Sequence, residues 1–430
     1  MGDAVTVVGS GLAGAMLACL LGKAGRRVDL RERRPDPRSR DAERGRSINL
    51  ALSTRGLHAL DQVGLAEEAK ALGVLMRGRM IHPRSGPLSF QPYGNDDTQA
   101  LHSVPRAALN RLLVERAAAY PGVRLFFDHR CTGVDLDKRV AEYATPQGAE
   151  SIPYSLLVGA DGAWSAVRAA MQRREGFDYS QSFLPVGYKE LAMPPGPGGS
   201  FLMEKDALHI WPRGEYMMIA LPNADGSFTC TLFWPSAMFD ALETPDDVEG
   251  FFQQEFPDAV PLLPDLGHQY FANPTGPLVT IRCHPWHVRD AVLLGDAAHA
   301  VVPFLGQGMN AAFEDCVFLA ECLDHPLPLG EFQRRRKEHV DALADLCLDN
   351  YEEMKRRVGS LWFRLGKRLD LFLHRLLRSL WMPLYTMVEF TRIPYGQAVR
   401  RARRQNRAAS ALVVLLLALI AWGGWLLWTN

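Results

Sequence analysis

The chain has 430 residues, 47% hydrophobic and 22% charged, a composition that suits a globular protein with a sizeable core and two closely joined domains. Lys+Arg and Asp+Glu balance at 48 each, so overall charge offers no argument for a nucleic-acid or acidic-polymer partner. Seven scattered cysteines (Cys19, Cys131, Cys230, Cys283, Cys316, Cys322 and Cys347) include no Cys-x-x-Cys pair, which excludes a disulfide framework or zinc site and predicts buried thiols in a reducing compartment.

At the amino terminus Met1-Gly2-Asp3 leads into an apolar run without a signal-peptide pattern, so the folded part is expected to stay where it is made. Ala4–Val8 reads as a buried strand, Gly9-Ser-Gly11-Leu-Ala-Gly14 turns it into a helix through Leu21, and Arg27–Arg31 forms a second strand ending at Glu32. This strand–turn–helix–strand order is the context a dinucleotide fingerprint requires. Gly9 permits the tight turn, Gly11 lets the backbone approach a pyrophosphate, and Gly14 permits close helix–strand packing, while free amides at the helix start meet phosphate charge. Glu32 is placed to accept hydrogen bonds from adenosine ribose hydroxyls, and Arg33 beside it joins the expected cofactor set. The stretch Arg33–Arg46, with Pro35 and Pro37, reads as a solvated loop over the cofactor.

The fingerprint alone does not separate FAD from NAD. Two later segments do. Leu156–Ala160 is a buried strand ending in Asp161-Gly162, and Val292-Leu-Leu-Gly295-Asp296 has the same grammar, followed by Pro303-Phe304-Leu305-Gly306-Gln307-Gly308-Met309-Asn310. A carboxylate at the end of a central strand suits the ribityl hydroxyls of a flavin, and a glycine-rich helix start after it can aim amides at negative charge on the flavin N1/C2 carbonyl. His299 is read as shaping this loop, not as a base.

Between these segments Arg79-Met-Ile-His82 reads as a short strand from which a carboxylate clamp can project. Glu215–Leu221 and Ser227–Phe233, joined by the turn Asn223-Ala-Asp-Gly226, predict a mixed sheet, and Ala192–Gly199 a loop. Ile219, Leu221, Phe233, Pro303 and Phe304 are ordinary strand and turn hydrophobes by pattern. Farther on, Val340, Leu343, Leu346, Cys347 and Met354 mark an apolar helical stripe. Asn350, seven after Leu343 and four after Leu346, points inward with it, next to Tyr351. A buried amide needs a partner, from neighbouring backbone or from a ligand. Finally, Ala408–Trp428 carries no charge and follows Arg400, Arg401, Arg403, Arg404 and Arg407. This predicts a transmembrane helix with the arginine flank cytoplasmic and the catalytic part facing the cytosol, in the mitochondrial outer membrane if eukaryotic or the cytoplasmic membrane if bacterial.

With its glycine fingerprint, Asp161-Gly162 and Gly295-Asp296 in this order, the chain resembles the single-component FAD-dependent aromatic hydroxylases, which draw electrons from NAD(P)H. The resemblance implies that Asp296 binds the ribityl chain, that Arg106 in Ser103-Val-Pro-Arg106 contacts the FAD phosphates, and that Asp161-Gly162 lies between FAD and a transient nicotinamide site. Gly45–Ser53, Arg79–His82, Gln91–Gly94, Phe177–Gln181, Gly187–Leu191, Leu208–Arg213, Met218–Asn223, Phe228–Phe233 and Leu294–Cys316 narrow it, over nearly the whole chain, to the kynurenine 3-monooxygenase family. That closer resemblance implies hydroxylation of L-kynurenine with NADPH and O2 through a flavin C4a-hydroperoxide, in tryptophan catabolism. It also implies that Arg79, Tyr93 and Asn350 hold the substrate carboxylate, that Tyr395 closes the pocket, and that Ile219, Leu221, Phe233, Pro303 and Phe304 line it. No catalytic side chain and no metal is expected. Val186 and Leu305 depart from the family pattern, which leaves open another aryl amino acid or aromatic acid as substrate. A non-catalytic membrane-tethered scaffold is the alternative of a different class.

The expected architecture is α/β: a Rossmann-type FAD-binding domain (1–72, 99–172 and 285–330) with an inserted mixed β-sheet substrate domain (73–98 and 173–284). Carboxyl-terminal helices (331–398) and the membrane helix (408–428) complete it.

Overall fold

A computed structural model describes residues 4–39, 49–96, 98–326, 328–357, 361–377 and 380–429; positions 40–46 of the arginine-rich stretch and 45–48 of the Gly45–Ser53 motif lie outside it. The strand Val5–Val8 is buried throughout, as expected of a β-branched strand covered on both faces of a parallel sheet. It lies between Leu156–Gly159 and Val28–Arg31, all three parallel, in a six-stranded sheet completed by Ala291–Leu293 and His287–Val288 on one side and Val123–Phe126 on the other. The register aligns the strand ends. Val8 sits opposite both Gly159 and Arg31, and Gly159 opposite Leu293, so four strands end at one edge. Within three residues of these strand ends come Gly9, Glu32, Asp161 and Asp296, which are thereby gathered where ligands of open α/β sheets bind.

The helix Leu12–Lys23, nearly all buried, packs between this sheet and the helices Arg106–Ala118 and Gly308–Cys322. Near its start it is tied by the Cys316 thiol, which donates to the Ala13 carbonyl at 3.2 Å. All seven cysteines are free thiols, six of them buried.

A second, seven-stranded mixed sheet runs in the order Gly276–His284, Asp178–Met193, Phe228–Pro235, Met217–Pro222, Ala207–Pro212, Gly78–Ile81, Ser89–Pro92. The predicted hairpin forms here, with Asn223 N–H donating to the Ser227 carbonyl at 2.8 Å and Gly226 at φ +89°. Its strands lie one or two residues later than the alternation predicted, and the strand before the 192–199 loop extends to Met193. One face buries Trp211, Met218, Leu232 and Trp234 against Phe252, Phe256 and Tyr270 from two local helices. The opposite face carries Ile81, Ile210, Met217 and Phe233 against Phe304, Tyr351, Met354 and Met387 from outside the sheet. Period-two alternation places Arg79, two residues before Ile81, on that same face.

Carboxyl-terminal helices Pro328–Glu352, Leu361–Leu377, Leu384–Glu389 and Tyr395–Thr429 complete the chain, with a π turn at Glu353–Arg357. The first is clasped by Arg336, whose Nε donates to Asp315 at 2.7 Å and Nη1 to Glu314 at 2.6 Å; Glu314 also accepts from Arg55 at 2.9 Å. His299 meets Asp315 at 2.5 Å and stacks on Trp286, a structural commitment that fits its reading as a loop-shaping residue.

The expected membrane span at 408–428 finds no support among the described residues. Among the described residues no helix is long and apolar enough to cross a membrane. The apolar run is the far half of Tyr395–Thr429, whose near half is arginine-rich, buries Ala398 and Ala402, and pairs Arg400 with Glu338, so the helix begins as part of the folded body. Many side chains from 412 onward lie outside the described residues.

Replacing Arg336 by Met leaves Asp315 and Glu314 buried with less compensation. We expect this to cost about 3–5 kcal/mol in a urea titration, as for other broken buried ion pairs. A change within about 0.5 kcal/mol shows that the clasp contributes little.

Candidate active site

The glycine turn shows which of its residues the protein itself demands. Gly9 sits at φ +100°, and a Cβ there would lie 2.5 Å from the Ala160 carbonyl oxygen; a Cβ on Gly14 would lie 1.8 Å from that of Gly9. No other residue fits at these two positions. Gly11 differs, because a Cβ there would meet nothing within 4 Å. Its missing side chain leaves open space in front of the helix start, the cradle a pyrophosphate fills.

Glu32 accepts from Ser10 N–H at 2.7 Å and from Arg34 N–H at 3.0 Å, which fixes its carboxylate beside the turn. Arg33 and Arg106 are exposed, Arg106 as the first residue of its helix, and Asn110 one turn on donates to the Ser10 carbonyl at 2.8 Å. Asp161 caps the helix Ala166–Met171 through Oδ2, accepting from Ala166 N–H at 2.7 Å. Its Oδ1 is buried with no partner among the described residues, and burial raises its pKa. Asp296 is the one exposed residue between Ala291 and Ala300. A carboxylate held out at a strand end amid buried neighbours fits a polyol chain running past it.

The loop 303–310 begins with exposed Pro303 and buried Phe304 and passes Gly306 at φ +69° to the helix start at Gly308. Gly308 and Met309 open that helix. Asn310 is fully spent on protein: Oδ1 accepts from Ser53 N–H at 3.0 Å, and Nδ2 donates to the Ala51 and Gly306 carbonyls at 2.8 and 2.9 Å. It latches the loop to the short strand Asn49–Leu52 and leaves flavin contact to the backbone around it.

On the second sheet Arg79 lies beside a pair of aromatic rings, 5.1 Å from the Tyr385 centroid and 6.0 Å from that of Tyr93, the two rings stacking on each other at 5.7 Å. Its Nε is buried with no partner among the described residues. Burial works against the guanidinium charge, but Tyr385, Tyr93 and Glu353 outweigh it and its pKa rises. Burial also pushes Tyr93 up to about 12 and Tyr385 well above the usual phenol range, so both rings are neutral. A permanent cation with an unspent donor suits a ligand carboxylate.

Leu221 and Tyr93 share a small apolar cluster with Ile219 and Tyr385 packed against it. Phe233 and Phe304 meet at 4.9 Å, and Phe304 lies tilted against Tyr351 at 4.5 Å. Val186 and Leu305, the two departures, both belong to this apolar face. Asn350 is buried as its periodicity predicts, and its amide donates to the Phe304 carbonyl at 2.6 Å.

Tyr395 is buried in the apolar cluster that also holds Phe233 and Phe304. Its ring lies 4.0 Å from the Arg55 guanidinium and its hydroxyl donates to Gln307 at 2.8 Å, while the tyrosine against Arg79 is Tyr385. Tyr385 was not named from the sequence, since Pro383-Leu-Tyr385 and Pro394-Tyr395 look alike locally. Gln307, Glu389 and Arg55 were also missed. Each is buried polar and bonded to a partner distant in the chain.

Comparison with known proteins agrees with this fold. Residues 3–333 match the family model described as FAD binding domain. Kynurenine 3-monooxygenase of Salinispora tropica is 47% identical over 97% of this chain and 96% of its own, and that of Myxococcus xanthus 47% identical over 95% and 90%. Among solved structures, the probable FAD-dependent monooxygenase PqsL of Pseudomonas aeruginosa aligns with a TM-score of 0.68 at 22% identity, covering 85% of this chain and 99% of that one. A 2-methyl-3-hydroxypyridine-5-carboxylic acid oxygenase aligns at 0.69 and 22%, covering 89% and 99%. These likenesses show the fold. The strand-end site and the matched domain define an FAD-dependent flavoprotein monooxygenase, not the non-catalytic scaffold weighed from sequence. Within that class, the chain belongs to the kynurenine 3-monooxygenase family.

Because Gly14 touches the Gly9 carbonyl, Gly14→Ala is expected to open the turn. The purified variant should hold less than about a tenth of the wild-type flavin, read from the absorbance ratio near 450 and 280 nm. Full flavin content shows that the turn yields.

Proposed function

We propose that this flavoprotein hydroxylates L-kynurenine at ring carbon 3, yielding 3-hydroxykynurenine, with NADPH and O2 as co-substrates. The observation that carries the reading is Arg79, charged, walled by Tyr93 and Tyr385, with Nε buried and unspent on the face that also carries Ile219 and Phe233. That arrangement suits a ligand with a carboxylate at one end and an aryl ring at the other. The kynurenine 3-monooxygenases at 47% identity carry the substrate assignment further.

Each residue then has a task. Gly9, Gly11 and Gly14 admit the pyrophosphate, with Arg33 and Arg106 as its exposed cations; Glu32 receives the adenosine ribose and Asp296 the ribityl chain. Gly308 and Met309 face the flavin with backbone, Asn310 holding them in place. Asp161-Gly162 borders the nicotinamide approach. Bound FAD supplies the activated oxygen. Arg79 and Tyr93, joined by Tyr385, hold the substrate carboxylate, and Tyr395 closes the pocket from behind Gln307. Asn350, expected in the same carboxylate trio, spends its amide on the Phe304 carbonyl and supports that residue from behind. Ile219, Leu221, Phe233, Pro303 and Phe304 enclose the ring and keep water away. No side chain is needed as base, because the ring amino group itself supplies electron density to the adjacent carbon. Binding and orientation are the protein's share of the work.

The assay tracks NADPH loss, hydrogen peroxide and hydroxylated product together. Product matching NADPH loss supports kynurenine; NADPH loss ending only in peroxide removes it and favours another aryl acid, with Val186 and Leu305 the places to look. Arg79→Ala is expected to raise KM for L-kynurenine at least about thirtyfold, from the ~2 kcal/mol or more lost with a buried charge partner. An unchanged KM removes Arg79 from the clamp.

The far half of Tyr395–Thr429 is further proposed as a membrane anchor. Support comes from the uncharged run Ala408–Trp428 and from the exposure of Val414, Leu419, Trp422 and Trp425. A variant ending at Arg407 should move from the membrane pellet to the supernatant on fractionation; both proteins in one fraction ends this reading.

A further inference from the structure

The helix Leu384–Glu389 turns two side chains four residues apart, and therefore on one face, toward the interior. One is Tyr385, stacked against Tyr93 and facing Arg79. The other is Glu389, with no exposed surface at all. Its Oε2 accepts from the Gln307 amide at 2.6 Å, and Gln307 in turn accepts from the Tyr395 hydroxyl at 2.8 Å. Its Oε1 is buried with no partner among the described residues.

Two cations act on this carboxyl. Arg55 is already committed, donating to Glu314 at 2.9 Å, to the Val388 carbonyl at 3.2 Å and to the Ile393 carbonyl. Arg79 is the stronger influence, and its Nε is unspent. The other titratable groups felt at this point are Tyr93, Tyr385, Tyr395 and Cys347, all kept neutral by burial, with Glu314 and Arg336 paired behind Tyr395. Glu353 also acts on Arg79, so the guanidinium has three candidate counterions: Glu353, the carboxylate of a ligand and an ionised Glu389.

We propose that Glu389 is a positioning residue for ligand binding: protonated, it leaves the Arg79 charge to the ligand carboxylate while holding Gln307, and ionised, it competes for that charge. This rests on the reading of Arg79 as the carboxylate clamp. Burial, acting against Arg79, Arg55 and the Gln307 amide, pushes Glu389 up to about 8. A raised pKa keeps the acid neutral at pH 7 and ionises it above pH 8, so affinity falls as pH rises.

The test uses the FAD-loaded protein without NADPH and reads binding from the change in flavin absorbance. From pH 7 to pH 9, Kd for L-kynurenine should rise by up to about tenfold, the ratio of protonated fractions when only the neutral acid is competent. Glu389→Gln, uncharged at both values, should lose that rise and keep only the dependence of the ligand's own amino group. The decarboxylated analogue of kynurenine should show no such rise in the wild type. A wild-type Kd flat from pH 7 to 9, or an equal rise in Glu389→Gln, overturns the proposal. If Glu389→Gln fails to hold FAD, an equal rise for kynurenine and its decarboxylated analogue in the wild type overturns it instead. The clamp reading fails separately, when Arg79→Ala binds L-kynurenine as the wild type does at pH 7.

Discussion

Arg336, Asp315, Glu314 and Arg55 form a buried lattice of alternating charge on which the geometry of the site depends. Four ionised groups in the interior are tolerated only because each is paired, and pairing fixes where the elements carrying them lie. Asp315 and Glu314 sit on the helix that begins at the flavin loop, Arg336 on the first carboxyl-terminal helix, and Arg55 on the helix Thr54–Gln62. One electrostatic knot thus joins the FAD-binding domain, the loop 303–310 and the helical cover. Through Arg55 it also reaches the Val388 and Ile393 carbonyls, and so the helix carrying Tyr385 and Glu389.

This explains how two sheets of different design come to share one site. The parallel sheet brings four strand ends to a common edge, while the mixed sheet offers a face bearing Arg79. Neither sheet supplies a complete pocket. The cover contributes Asn350, which holds the Phe304 carbonyl, and Tyr385, which walls Arg79, and both depend on the charge lattice for their position. The apolar contacts around Phe233, Phe304 and Tyr351 then exclude water without specifying orientation.

The strand-end turns and the FAD-dependent class were legible in the sequence because the stereochemistry behind them is local. A glycine at a tight turn and a carboxylate at a strand end are consequences of neighbouring residues, so spacing alone locates Gly9, Gly14, Asp161 and Asp296. The strand at Arg79 and the inward direction of Asn350 were legible for the same reason, since period two and period 3.6 are properties of a single element. Tyr385 was not. Its neighbourhood resembles that of Tyr395 ten residues later, and only the packing of one short helix against Tyr93 marks it out. The membrane span shows a related limit: an apolar run of the right length is visible in sequence, but not that its helix starts as part of the folded body.

What the sequence by itself determined, then, was the flavin-binding plan and the class of chemistry, because glycine stereochemistry and strand-end acids act over a few residues. What only the tertiary structure decided was which buried polar groups meet: Arg79 with Tyr385, Gln307 with Glu389 and Tyr395, Arg336 with Asp315. A buried polar side chain must find a partner, but the partner is chosen by how distant elements pack, and no local pattern carries that information.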